Sequence, residues 1–548
     1  MGKKTNETVN IDYSLRGKAA VAFFSGIRII KAEKQQEKWG KSMEKNWLKK
    51  ICLTMGELDT DRTDDVSRCL EALEAEGISA RFPTELVAAS YETLRLPQYT
   101  VTLQKVPDGY RVTRAEPGDR SRACYGAAVD LGSTTVVMRI LDFSSGSILG
   151  EDTVRNGQRA YGDEILSRIF YTKDNPEHRQ ELRQVTVDTL NTLLEGLCAE
   201  VGVTPEEICG MVISGNTCMI HFLLGLDTFC LFHTPFRPVI TRPGVVAGKA
   251  LGLLVDGPVY CFPSTANYLG GDIISGLLST ELTHREETAL FLDIGTNGEM
   301  VLGNRDYLIG GAGAAGPALE GGISKSGMRA RAGAVDTVTI REGELTFTTI
   351  ENAPARGICG SGIVDLLAQM LLAGWMDRRG NLHIEKSPRI RLFGEELGVA
   401  YAESWESETG EPLVFTQEDI RQFTETKAAA HTMVAVLLNT AGLSLEEVDR
   451  IYLAGAFGRH LNLESAITIG MYPDAPREKF VNVGNSSLEG ACQLLTGQIS
   501  PEEADRIARE IYYLEFAMQE TFVEEMRAAS FYPHTNLQMY PTVANRLP

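Results

Sequence analysis

The chain has 548 residues, 43% of them apolar and 23% charged, with a formal net charge of −20. That length buries large cores and predicts roughly two to four compact units. The acidic balance opposes nonspecific nucleic-acid binding; no apolar run approaches a membrane span, and the opening MGKKTNETVNIDYSLRG has no signal-peptide form, so a cytoplasmic location with neither nucleic acid nor membrane as partner is expected.

Residues 1–14 read as a disordered arm. Residues 1–50 hold 12 Lys and Arg against 5 Asp and Glu, a local +7 that leaves about −27 on the rest. This start reads as a solvated basic arm, with a docking surface for an acidic protein as the alternative. Residues 15–122 read as a small α/β module. It holds an apolar strand AAVAFFSGIRII (19–30), an amphipathic helix in DDVSRCLEALEAEG (64–77) and a hairpin turning at Pro107-Asp108-Gly109. The polar stretch GDRSRA, 118–123, marks its end.

A first lobe, 123–285, opens with AAVDLGSTTVVMRILD (127–142), and a second, 286–481, with ALFLDIGTNGEMVLGN (289–304). Each is an apolar run ending in Asp-Leu/Ile-Gly, a small polar residue and a second apolar run, the pattern of a strand, a tight turn and a returning strand. Asp130 aligns with Asp293, Gly132 with Gly295 and Ser133 with Thr296. A second pair matches as well: VTPEEICGMVISG (203–215) and LSLEEVDRIYLAG (443–455) each read as a capped acidic turn, an apolar strand and a glycine stop. Two matching series in tandem predict a duplicated, two-lobed α/β domain, with 482–548 returning to complete the first lobe. Residues 310–333 carry eight glycines in 24 positions and read as a loop, either flexible or ligand-facing. GICGSGIVDLLAQMLLAG (357–374) is a glycine turn feeding a helix, an acidic insertion follows near 392–412, and FVNVGNSSLEGACQLL (480–495) is a strand, a polar turn and a helix.

The paired hairpin tips carry the chemistry. Turn amides can cradle phosphate oxygens while an aspartate holds Mg²⁺ through water, and phosphoryl transfer needs positioned charge, Mg²⁺ and an oriented water. Asp130, Asp293 and Glu299 are therefore the expected catalytic carboxylates, with Asp130 and Asp293 holding Mg²⁺ through water. Gly132, Ser133, Thr134 and Thr135 on one tip, and Gly295, Thr296, Asn297 and Gly298 on the other, are expected at the phosphates of ATP. Gly215 and Asn216 close the first strand-glycine unit, Gly484 and Asn485 a later one, and Gly455, Ala456 and Gly458 should line the adenosine. Neither GxxxxGK[ST] nor a strand-borne GxGxxG is present, which disfavours P-loop and Rossmann folds. Ten cysteines include no CxxC pair; Cys218, Cys230 and His233, with His221 nearby, read as buried thiols and a core histidine rather than a metal site. Mostly buried, reduced thiols fit a reducing compartment.

The order DLGSTT, SGNT, DIGTNGE, LAGAFG and VGNSSLEGA resembles the acetate and sugar kinase, Hsp70 and actin superfamily, with its ribonuclease H-like duplicated fold. There these segments correspond to phosphate 1, connect 1, phosphate 2, adenosine and connect 2. More closely, DIGTNGE, AGPALEGG, GMRA, GICGSGIVD and LAGAFGRHLN resemble the ATP-dependent reductive activators of corrinoid proteins, over about 123–535 and more loosely 45–122. The resemblance implies an ATPase that supports return of cob(II)alamin to cob(I)alamin on a methyltransferase corrinoid protein. Members carry an iron–sulfur module; this chain has none of its cysteine patterns, so no cluster is expected here and a separate electron donor such as a ferredoxin is implied. A homodimer is admitted. Three alternatives stand. An activator of 2-hydroxyacyl-CoA dehydratase type would place a shared cluster at Cys359, a metabolite kinase would use Asp293, Glu299 or Glu320 as base, and an ATP-gated switch would bind a partner in one closure state.

Overall fold

A computed structural model of the chain describes residues 47–55, 63–295, 297–314, 322–455 and 461–548. The predicted 19–30 strand and most of the basic arm lie outside the described residues, as do Thr296, Glu320, Ala456 and Gly458.

The first module is a four-stranded sheet of β1 (Leu48–Thr54), β2 (Ala80–Arg81), β3 (Gln98–Val106) and β4 (Gly109–Pro117), ordered β1-β3-β4-β2. The predicted helix spans Asp65–Ala75, capped by the Asp64 carboxylate on the amides of Val66 and Ser67. The β3–β4 hairpin closes Val106 against Gly109 around Pro107-Asp108, as its turn residues require. β1 was not read from the sequence: KKICLT does not alternate cleanly, because the Lys50 side chain is itself buried in an ion pair with Glu116. Trp47 fixes the module to the rest, buried and set edge-on to Tyr260 at 6.2 Å.

The two lobes are built on sheets of matching order. The first contains β5 (Tyr125–Leu131), β6 (Thr135–Asp142), β7 (Ile148–Arg155), β8 (Ile208–Gly215), β9 (Gly244–Ala247) and β10 (Pro258–Cys261), ordered β7-β6-β5-β8-β10-β9. The second begins with β11 (Ala289–Ile294), β12 (Asn297–Gly303) and β13 (Leu308–Ala314). Two small three-stranded sheets follow: β14 (Ala334–Arg341), β15 (Glu344–Thr349) and β16 (Gly357–Ile358), then β17 (Ile390–Phe393), β18 (Glu396–Ala402) and β19 (Leu413–Thr416). β20 (Arg450–Ala454), β21 (Phe480–Gly484) and β22 (Ile511–Tyr513) complete the second large sheet, ordered β21-β20-β11-β12-β13-β22. In each lobe an antiparallel three-strand meander meets two strands parallel to its first member: β8 and β10 beside β5, β20 and β21 beside β11. The duplicated units entering these strands are alike in detail. Thr204 with Glu207, and Ser444 with Glu447, form capping boxes on single 3₁₀ turns just before β8 and β20.

Two expectations change. The glycine-rich segment 310–333 does not begin as a loop: Gly310, Gly311 and Gly313 lie in β13. A Cβ at Gly311 would stand 2.4 Å from the Leu514 carbonyl, and one at Gly313 2.5 Å from Met433 Sδ, so these glycines serve close packing. Nor does 482–548 return as a unit to the first lobe. Helix Ser486–Leu495 packs on β5 and β8, whereas β22 and the closing residues Phe516, Tyr532, Tyr540 and Val543 join the second lobe's core.

The lobes meet where helix Gly271–Leu278 crosses helix Ser486–Leu495. The crossing is close because it is built of small residues. A Cβ at Gly490 would lie 2.1 Å from the Ser275 carbonyl, and Ser275 Oγ donates to the Ser487 carbonyl at 2.7 Å. Gly490→Val should therefore overpack the crossing and destabilise by about 1–3 kcal/mol. Gly196→Ala, in helix Pro176–Val201 with nothing within 4 Å of its Cβ, should stabilise by about 0.5–1 kcal/mol. Thermal scans at one fixed rate should show opposite shifts; two shifts of one sign contradict the packing account.

Candidate active site

Four carboxylates gather where the lobes face each other. Asp130 stands at the end of β5, in register with Ser214 of β8. Asp293 stands at the end of β11, opposite Glu299 of β12 and Ala454 of β20. Asp272 lies in the first turn of helix Gly271–Leu278. Each is half-buried. Burial raises all four above the ordinary carboxylate range, and mutual repulsion adds to it. Asp272 is pushed up to about 7 by burial and then by Asp293 and Asp130. Asp293 is pushed up to about 6 by burial and then by Asp130. Burial, with Asp272 and Asp293, holds Glu299 well above its usual value, and burial raises Asp130 against the lowering effect of Ser487 and Asn485. Among the described residues, no guanidinium or ammonium is a leading influence on any of them. Such a group is stabilised by a divalent cation.

The fit to an ion held through water is geometric as well. Among the described residues, one group of three candidate ligand atoms lies within 4.8 Å of one another, His431, Glu525 and His534; the four cleft acids are more widely set. His534 Nδ1 in that trio accepts the Asn536 amide at 3.1 Å, which leaves the ring proton on Nε2 and makes it a poor ligand. In the cleft, Gly455 adopts φ +79°, and a Cβ there would lie 2.8 Å from Asp293 Oδ1. The missing Cβ keeps the face of Asp293 open.

The first hairpin tip is held from behind. Asn156 Nδ2 donates to the Gly132 carbonyl at 2.8 Å, its amide donates to the Thr134 carbonyl at 3.0 Å, and Arg168 Nη1 donates to the Ser133 carbonyl at 2.7 Å. All three turn carbonyls are thus spent on the protein side, which leaves amides and hydroxyls for an anion. Arg168 is fully buried, and desolvation lowers it to about 10. Asn485 and Ser487 hold Asp130: Asn485 Nδ2 donates to Oδ2 and Ser487 Oγ to Oδ1, both at 2.9 Å. Asn485 also caps helix Ser486–Leu495 through the Leu488 amide, so this interlobe helix and the Asp130 carboxylate share one residue.

Two comparisons of sequence pattern cover most of the chain: residues 125–285 match the RACo middle region, and 287–544 the C-terminal domain of RACo, the ASKHA domain. The corrinoid activation enzyme RamQ of Eubacterium limosum is 30% identical over 438 residues, 77% of this chain and 73% of its own. The chain belongs to the RACo family. A [Co(II) methylated amine-specific corrinoid protein] reductase of Methanosarcina barkeri is 26% identical over 73% of this chain and 75% of its own. A solved reductive activator for corrinoid, iron-sulfur protein superposes with a TM-score of 0.82 at 37% identity, covering 92% of this chain and 82% of that one. The two-lobed ASKHA fold expected from the paired hairpins is thereby established.

Against this family frame the expected site residues divide. Asp130, Asp293, Glu299, Gly132, Ser133, Thr134, Thr135, Gly295, Asn297 and Gly455 stand at the two tips or the β20 end. Gly298 is buried, its Cβ position 2.7 Å from Met433 Cε, and serves packing. Gly215 ends β8 beside Leu131, and Asn216 caps helix Thr217–Leu224 through the Met219 amide. SGNT is therefore not the interlobe connection; helix Gly271–Leu278 fills that place. Cys359 is buried, its thiol donating to the Val335 carbonyl at 3.3 Å, a core position unlike a shared cluster ligand. His221 uses both ring nitrogens on backbone, at Thr217 and Val239. Sequence reasoning missed Asp272, Asn156 and Arg168. A Gly-Gly-Asp at a helix start was the available signal for Asp272; the other two had none.

The raised carboxylates give a pH prediction. The unfolded chain sheds these protons near pH 4, while the folded chain keeps them to about 6 at Asp293 and about 7 at Asp272. Their contribution is complete below the unfolded value and is lost as pH rises through the folded values. Cation-free protein should lose stability between about pH 4 and 7, and Mg²⁺ should raise Tm more at pH 8 than at pH 5.5. Asp272→Asn should raise cation-free Tm at pH 8. An equal Mg²⁺ shift at both pH values contradicts the assignment.

Proposed function

We propose that the chain binds ATP with Mg²⁺ across the two hairpin tips and couples hydrolysis to reductive activation of a corrinoid protein in a methyltransferase system. The observation that carries this reading is the set of four ionisation-suppressed carboxylates with no cationic partner among the described residues that lead their influences. Bound Mg²⁺ would neutralise phosphate oxygens and fix their geometry. Asp130, held by Asn485 and Ser487, and Asp293, opened by Gly455, would retain waters of the ion. Asp293, raised to about 6, is poised to accept a proton from the attacking water, with Glu299 beside it supporting the orientation of that water. The amides and hydroxyls of Gly132 to Thr135 would take phosphate oxygens from one lobe and Gly295 to Asn297 from the other; Gly455 with Ala456 and Gly458 would line the adenosine.

The names of the relatives support a corrinoid-protein partner. A separate low-potential donor such as a ferredoxin would supply the one electron that takes Co(II) to Co(I), while ATP and water give ADP and phosphate. All ten thiols are unpaired and eight are buried, which fits work in the reducing cytoplasm. A homodimer is compatible with this reading.

Asp130→Asn and Asp293→Asn should each lower ATP turnover at least about a hundredfold while the folded chain persists by circular dichroism. With a corrinoid protein and a donor, wild type should form cob(I)alamin in the optical spectrum only with ATP. Unchanged turnover in both variants refutes the site. ATP use that depends on a small-molecule acceptor instead favours a kinase, and stimulation without cobalt reduction favours a switch.

A further inference from the structure

A second cleft between the lobes has the opposite charge. It is an open cleft of about 240 Å³ lined by Arg155, Arg159, Gly327, Met328, Arg329 and Arg331. Arg155 ends the edge strand β7, and Arg159 lies in the 3₁₀ turn Gly157–Tyr161 of the first lobe. The remaining four residues come from the second lobe, between β13 and β14. In a chain of net charge −20 this concentration of guanidinium groups runs against the average field. Among the described residues Asp163 pairs with Arg159, which holds it below the usual carboxylate range with help from Arg329 and Arg168. Arg155 and Arg331 are exposed, and their guanidinium groups make no hydrogen bond or ion pair among the described residues.

The second-lobe wall is fixed in place. The Met328 amide donates to the Ile358 carbonyl at 2.9 Å, the Ile358 amide to the Ser326 carbonyl at 3.0 Å, and Ser326 Oγ to the Val414 carbonyl at 3.0 Å. Gly357 permits this approach, since a Cβ there would stand 2.3 Å from the Ser326 carbonyl. The first-lobe wall is the segment that pins the phosphate-type turn: Asn156 follows Arg155 and holds Gly132 and Thr134, and Arg168 holds Ser133 and bonds Gln158 next to Arg159.

We propose that this cleft is an anion site that takes a polyvalent phosphate-type group between the two lobes. Guanidinium forks match oxyanions in planar, paired geometry. Here they come from two lobes onto one open cleft instead of lying as a stripe along one face. A compact group with several charges satisfies both walls at once, while an extended acidic segment would engage one. Occupancy would hold the lobes together at the mouth, and through the 155–168 segment it would stiffen the turn at Gly132–Thr134. The phosphate-type group has two sources, the terminal phosphates of the nucleotide itself or a separate phosphorylated small molecule. The guanidinium groups are distinct from the carboxylate cluster, so with a separate phosphorylated molecule as ligand the site survives failure of the ATP assignment, whereas the nucleotide source rests on that assignment.

Calorimetric titration of the full chain with inorganic pyrophosphate tests this, without Mg²⁺ and at fixed ionic strength. Wild type and Asp130→Ala should both bind. The double variant R155Q/R331Q, whose sites are solvent-exposed and whose fold is checked by circular dichroism, should bind at least about tenfold more weakly, with R155K/R331K in between. Binding that persists when a non-hydrolysable ATP analogue with Mg²⁺ is saturating supports a separate phosphorylated ligand. Binding abolished by the analogue, with weaker analogue affinity in R155Q/R331Q, supports the nucleotide as the source. Absence of pyrophosphate binding to wild type, or equal binding to R155Q/R331Q, overturns the proposal. So does tighter binding of a polyglutamate peptide, which would make the cleft a protein-docking surface.

Discussion

Burial of four neighbouring carboxylates at the lobe junction, reinforced by charge repulsion at Asp272, Asp293 and Glu299, is the constraint on which this protein turns. Two copies of one sheet each bring an aspartate to the end of their first strand, and helix Gly271–Leu278 adds a third and β12 a glutamate. Side chains elsewhere in the chain are paired with care; Arg389 with Glu406 and Arg391 with Glu403 are examples. At the cleft no cationic side chain among the described residues plays that part, and the acids hold protons well above their usual range. The fold keeps them together because each backbone position is fixed by a sheet or helix whose core is large and apolar. The uncompensated charge is thus maintained by packing, as is common where a site is built to receive a ligand.

The same logic extends to the residues behind the cleft. A tight turn presents amides to an anion only if its carbonyls are satisfied elsewhere, and Asn156 and Arg168 do that from the opposite side. Asp130 is bound to Asn485, which caps the helix crossing between the lobes. Movement of one lobe against the other at that crossing therefore changes the setting of the carboxylate directly. The glycines and serines of the crossing give the contact its closeness and make it a natural pivot for closure about a nucleotide.

Much of this architecture was legible in the sequence because duplication repeats local chemistry. The Asp-Gly hairpins and the Thr204 and Ser444 capping boxes carry their turn and cap residues at fixed spacing, and their strands pair as the alternation requires. What escaped was set by tertiary contact. Arg168 looks like any helical arginine until its guanidinium is seen on the Ser133 carbonyl. Gly311 and Gly313 read as loop residues, yet they are strand positions emptied for Leu514 and Met433. The end of the chain carries no periodicity that assigns it to one lobe; Lys427, buried and donating to the Phe531 and Pro533 carbonyls, ties it to the second. Asp272 was missed because a single acid at a helix start is more often a cap than a ligand.

The central claim is that the cleft acids exist to hold a divalent ion between the lobes. Crystals grown with Mn²⁺ and a non-hydrolysable ATP analogue would test it most directly by anomalous scattering. A single manganese peak among Asp130, Asp272, Asp293 and Glu299, bridged to them by water and touching the phosphates, is the predicted result. Manganese bound elsewhere, with the nucleotide seated and the four carboxylates left without an ion, would contradict it.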